Sequence, residues 1–145
     1  MDTSSLNIKL IQERLSHIRA SANRLYRLTT LGKDEFLLSP DNFAIAEHHL
    51  RRSLEAVLDV GRHLIAKKGW GTPQDYRSII TTLGQRGILP LEFAQKIQGM
   101  AGYRNRLVHG YADVTPEEIY DLLVYHLMDF EEYVRMIIFF VEQNR

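Results

Sequence analysis

Apolar residues recur along this chain at alternating spacings of three and four, the period of a helix with one buried side. Ile8, Ile11, Leu15, Ile18, Ala22 and Leu25 form the first such stripe, and Gly32 is a natural stop for it. The second helix is predicted to open at Ser39-Pro40-Asp41, a capping residue followed by a proline suited to the first turn. Its inward stripe is Leu50, Leu54, Val57, Leu58, Gly61 and Ile65. Lys67-Lys68-Gly69 ends it, with cations at the carbonyl end of the dipole and a glycine for the left-handed cap.

Thr72-Pro73-Gln74-Asp75 predicts a third helix start, with Thr72 as the cap and Tyr76, Ile79, Ile80 and Leu83 as the buried face. After Gly87 and Pro90 comes a fourth stripe, Leu91, Ala94, Ile97, Ala101 and then Leu107 or Val108. The last helix opens at the capping box Thr115-Pro116-Glu117-Glu118 and runs long, through Ile119, Leu122, Leu123, Leu127, Phe130, Val134, Ile137 and Val141. No stretch shows the strict alternation of strands. The expected fold is therefore all-α, an up-and-down bundle of four to five helices, with residues 1–145 forming one domain. Near Phe139 and Phe140 the last helix is apolar on more than one side. A subunit interface and a wide core-facing stripe account for this equally well.

Composition narrows the chemistry. The 145 residues are 45% apolar and 25% charged, an ordinary globular balance, and contain no cysteine. That excludes disulfides, thiolate metal sites and cysteine nucleophiles. Met1 to Ser5 is polar and shows no secretory leader, and the longest apolar run, Met136 to Val141, falls far short of the ~20 residues of a membrane span. A cytoplasmic address with no membrane association is expected. Net charge is zero with histidine neutral, so any grip on nucleic acid must be local. There are 13 Arg against 5 Lys, a bias toward the planar fork that suits phosphate.

The densest chemistry lies in Tyr103-Arg104-Asn105-Arg106-Leu107-Val108-His109-Gly110-Tyr111. On a helix Asn105 and His109 stand one above the other, and Arg104 lies roughly 140° round from His109, close enough for its long side chain to share their patch. His109 near a helix carbonyl end feels a partial negative charge that favours its protonated form. Spacing leaves two uses for it open: a satisfied helix cap, or a general acid or base taking the proton of a ribose 2′-hydroxyl while Arg104 stabilises the phosphate. No carboxylate cluster surrounds the motif, and neither metal nor cofactor is expected.

An arginine, a polar residue after it and a histidine four to six positions on, within a helical bundle, resemble the HEPN family. Arg104, Asn105 and His109 match that pattern. The register Arg104, four residues, His109, Gly110, Tyr111 resembles more narrowly its HepT-like RNase toxin branch, as do His48 to Ile65, Thr72 to Leu83, the Gly87-Ile88-Leu89-Pro90 turn and Gly99 to Tyr103. The first forty residues add nothing to the resemblance.

The resemblance implies a metal-independent endoribonuclease toxin of a type VII-like toxin–antitoxin pair. It would be active as a homodimer whose two Arg104 and His109 sets face each other across a cleft, with Asn105 in support. It also implies a minimal nucleotidyltransferase antitoxin, MntA-like, that silences the toxin by transferring AMP to Tyr111; without the resemblance Tyr111 reads as packing after a helix cap. The alternative is a non-catalytic HEPN subunit that presents nucleotide or substrate to a partner nucleotidyltransferase, or a helical scaffold without a site.

Weaker candidates have plainer readings. His48 and His49 point about 100° apart, a poor arrangement for one metal ion. His63 and His126 read as hydrogen-bonded boundary histidines, and His17 carries no signal. Trp70 reads as a plug at the bundle end rather than a base-stacking platform. Arg51, Arg52 and Arg62 fit either a basic path for RNA or helix-surface ion pairs.

Overall fold

The computed structural model describes residues 6–109 and 114–144, without the side chains of Val108 and His109. Within them the chain is helical throughout: α1 (Ile8–Thr29), α2 (Lys33–Leu38), α3 (Pro40–Lys68), α4 (Tyr76–Gln85), α5 (Leu91–His109) and α6 (Pro116–Gln143). Five were expected from periodicity. The sixth, α2, has six residues and buries one side chain, Phe36, so it is too short to show a stripe.

The caps fall largely where the pattern placed them. Ser39 accepts the Asp41 N–H with Pro40 in the first turn, Gly69 takes the left-handed conformation that ends α3, and Thr115 accepts the Glu118 N–H. The start of α4 is a correction. Thr72 and Pro73 lie before the helix, and Asp75 is its cap, accepting from the Ser78 N–H at 2.8 Å and from the Ser78 hydroxyl at 2.7 Å. A carboxylate bonded twice to Ser78 outcompetes the threonine three residues earlier.

The long α3 is the axis of the bundle and packs against each of the other five helices. Its stripe, Leu50, Leu54, Val57, Leu58, Gly61 and Ile65, is buried in full. So are Ile11, Leu15, Ile18 and Leu25 of α1 and seven of the eight α6 positions predicted, Leu127 being half-buried. In α5 the register differs at its start. Leu91 is exposed, and Phe93 with Ala94 fills the core instead.

Two glycines set how closely the helices approach. A Cβ on Gly61 would lie 2.6 Å from Cγ2 of Ile79, and one on Gly84 would lie 2.8 Å from the Ala94 Cβ. Their bare backbones let α4 settle against both α3 and α5. Across the bundle Arg19 reaches from α1 to α6 as a fork, donating to both carboxylate oxygens of Glu131 at 3.0 and 2.8 Å.

At the far end the half-buried Trp70 packs against Phe140, with ring centres 6.4 Å apart, and the Arg86 guanidinium carbon lies 5.4 Å from its ring, in keeping with the expected plug. Phe139 is exposed. Phe140 thus packs inward against Trp70, and Phe139 faces solvent in the protomer. No described helix is long and apolar enough to cross a membrane.

Candidate active site

The site is assembled where α3, α4 and α5 meet, and packing decides its shape. Because Gly61 admits α4 so closely to α3, the first residue of α4, Tyr76, comes to rest between arginines of two other helices. The guanidinium carbon of Arg62 on α3 lies 5.5 Å from its ring centre and that of Arg104 on α5 lies 4.3 Å from it. An arginine over a tyrosine face gains from the ring quadrupole, and more when partly shielded from water. Arg104 is so shielded, its side chain only 15% exposed.

A carboxylate completes the clamp. Glu55 of α3 accepts a short hydrogen bond from Nε of Arg104, and Nη1 of Arg104 donates to Oδ1 of Asn105 at 3.3 Å. With Nε committed to Glu55, the terminal amino groups are the part of the fork left to meet an anion. Arg104 and Asn105 are therefore in direct contact, two of the three residues expected to share one patch. His109 is the last residue of α5, one helical turn beyond Asn105, and its side chain lies outside the described residues, as do Gly110 and Tyr111.

Arg106, next but one to Arg104, serves a different purpose. It donates to both oxygens of Glu118 at the start of α6, one contact short and the other 3.0 Å, while the Tyr103 hydroxyl donates to Glu118 at 3.0 Å. The hydrogen bonds from Arg106 hold the Glu118 carboxyl below its ordinary range, and those from Tyr103 and the Thr115 amide add to this. Burial, then the bond to Glu118, pushes the Tyr103 phenol upward. This cluster ties the end of α5 to the start of α6 on either side of residues 110–113 and so frames the motif.

The remaining histidines do not converge on Arg104. His63 accepts the Asn7 N–H at Nε2, His49 lies 3.3 Å from the Ser21 hydroxyl, and His126 contacts the buried Asp129, which Lys96 also meets at 3.1 Å. Among the described residues no three His, Asp or Glu side chains gather as a metal-binding group.

Sequence reasoning missed Glu55 and read Tyr76 only as part of the buried face of α4, where it does pack against the core while also meeting Arg62 and Arg104. The available signal was faint: a carboxylate beside the inward stripe residue Leu54, and a tyrosine immediately after a capping aspartate.

Known proteins resemble this chain in sequence and in fold. The chain is 30% identical over 128 residues to the tRNA nuclease HepT of Aphanizomenon flos-aquae, covering 88% of this chain and 87% of that protein. It is 29% identical over 89 residues to the mRNA nuclease HepT of Shewanella oneidensis, covering 61% and 67% respectively. Among solved structures, the tri-AMPylated HEPN toxin of Shewanella oneidensis in complex with its MNT antitoxin superposes with a TM-score of 0.81 at 23% identity, over 88% of this chain and 96% of that one. The cytosolic protein YutE of Bacillus subtilis, of unknown function, gives 0.86 at 17% identity, over 97% and 94%. Both share the fold. The family model described as ribonuclease HepT-like matches residues 11–137, a span that contains the whole Arg104 to Tyr111 motif, and the chain belongs to that family.

Proposed function

We propose that this chain is a cytoplasmic, metal-independent endoribonuclease, the toxin of a two-component toxin–antitoxin pair. The observation that carries the reading is the pose of Arg104: half-buried between Glu55 and Tyr76, joined to Asn105, and on the same helix as His109. A guanidinium held in this way is preorganised for a phosphate and needs little rearrangement as charge builds up during attack.

His109 takes the proton of a ribose 2′-hydroxyl, and that oxygen attacks the adjacent phosphorus. The 5′-oxygen leaves with a proton from a second imidazole, the His109 of another copy in a homodimer, and the products are a 2′,3′-cyclic phosphate and a free 5′-hydroxyl. Arg104 neutralises the phosphate oxygens and Asn105 supports it. Tyr125 and Met128, about one turn apart on α6, and Phe139 near its end leave apolar side chains exposed, which favours assembly over a lone protomer.

A relative of the same fold supports the reading of its regulation. The Shewanella toxin is AMPylated and bound to an MNT antitoxin. In this chain the acceptor is Tyr111, two residues beyond His109: its phenolic oxygen takes AMP from ATP, releasing pyrophosphate, in the hands of a minimal nucleotidyltransferase antitoxin. The added phosphate and adenosine then occupy the place an RNA phosphate needs.

The test is RNA cleavage in the presence of chelator by protein free of AMP, beside its His109→Ala variant. Cyclic phosphate ends from the wild type alone are expected. No cleavage by folded, unmodified protein would overturn the reading.

A further inference from the structure

We infer that the shallow groove between α1 and α3 is a phosphate track that holds single-stranded RNA on its way to Arg104, an inference that rests on the ribonuclease reading. The groove is open to solvent, has a volume of about 670 Å³, and is lined by Arg14, His17, Arg51 and Arg52 together with Glu55 and Asp59.

Its acids are already engaged. Glu55, in the wall of the groove, is the partner of Arg104, and Asp59 is shared between Arg14 at 3.5 Å and Arg62 at 3.3 Å. Arg51 and Arg52 differ from these. Among the described residues neither has an ion pair, a hydrogen bond or a ring contact, although carboxylates stand one turn away on the same helix. With Glu55 and Asp59 committed to other arginines, two unpaired arginines in a chain of zero net charge leave a local excess of positive charge along this groove.

The groove is also continuous with the site. Glu55 belongs to both, and Tyr76 carries Arg62 on one approach and Arg104 on another. The Glu55 end of the groove thus adjoins Arg104. A repeating anion fits that layout, and RNA offers one phosphate per nucleotide together with bases able to stack on guanidinium planes. An acidic protein surface would satisfy the charge but would gain nothing from leading to the reacting phosphate's arginine.

The experiment measures affinity without turnover. The full-length His109→Ala protein is titrated against a fluorescein-labelled single-stranded RNA across a salt series, beside the same protein carrying Arg51→Gln and Arg52→Gln. Loss of two phosphate contacts is expected to weaken binding about tenfold or more at moderate salt. The slope of log affinity against log salt should become shallower by about 1.4, roughly 0.7 for each contact to a single strand. Arg51→Lys with Arg52→Lys should recover most of the slope. Arg135→Gln, a control on α6 whose arginine is paired with Glu131, should leave both quantities unchanged.

Unchanged affinity and slope in the Arg51 and Arg52 variant would overturn the inference, as would equal weakening by Arg135→Gln or no RNA binding by the parent. Retained RNA binding with loss of the nucleotidyltransferase would overturn it too and make the groove a protein interface. The two readings fail separately. If wild type cuts no RNA but the double variant still loses affinity and slope, the nuclease is lost and the groove stands.

Discussion

The guanidinium of Arg104 lies 4.3 Å from the centre of the Tyr76 ring, while its Nε is bonded to Glu55. Two helices distant in sequence thus hold one side chain of a third. If this clamp sets the aim of Arg104, then Glu55→Gln, which keeps shape and removes charge, should lower kcat by roughly ten- to a hundredfold while KM moves little, the scale expected from small misplacements of a reacting group. Tyr76→Phe keeps the ring and should stay near wild type, whereas Tyr76→Leu should not. Steady-state cleavage with a check on fold by circular dichroism separates these outcomes, and an unaltered kcat in Glu55→Gln would reduce the clamp to a structural ion pair.

Close packing of α3 on α4 underlies that clamp. Gly61→Ala would set a methyl 2.6 Å from Cγ2 of Ile79 and 3.1 Å from Cδ1 of Leu83, both in the core. Overpacking of this kind costs about 1 to 3 kcal/mol. Urea denaturation should show that loss, and because α4 carries Tyr76, RNA cleavage should fall as well.

The link between α5 and α6 should be sensitive to acid. Hydrogen bonds from Arg106 hold the Glu118 carboxyl below its ordinary 4.5. A carboxyl depressed in the folded state contributes stability that is complete above the unfolded value and is lost as pH falls through the folded one. Wild type should therefore melt above Glu118→Gln at neutral pH, and the gap should close as pH falls below 4.5 and through the depressed value of the folded state. A gap that persists unchanged in acid would show that the charge is not what matters at this position.

His63 gives a second pH dependence of the same sign. Its Nε2 accepts the Asn7 N–H at 3.1 Å, and burial, with Lys67 nearby, holds the imidazole below its ordinary 6.5. The unfolded chain takes up the proton first as pH falls through 6.5, so the contribution is present above that value and fades below it. Hydrogen exchange corrected for its intrinsic pH dependence should show the first turn of α1 opening more readily at about pH 5 than at about pH 7, with His63→Leu removing the difference.

Much of this molecule was legible in one dimension. Apolar periodicity marked five helices, Ser39, Gly69 and Thr115 marked their ends, and the crowding of arginine, amide and histidine from Arg104 to His109 marked the candidate site. These are local properties, set by a 3.6-residue repeat and by which residues satisfy free backbone groups. Only tertiary structure decided which carboxylate and which ring would hold Arg104. Glu55 is 49 residues away, and no periodicity distinguishes it from the other acids of α3. The same holds for α4, whose first residue became part of the site because Asp75 rather than Thr72 caps the helix and because Gly61 lets it approach. Local pattern chooses the helices; the contacts between them depend on shape complementarity across the whole core, which no single stretch of sequence contains.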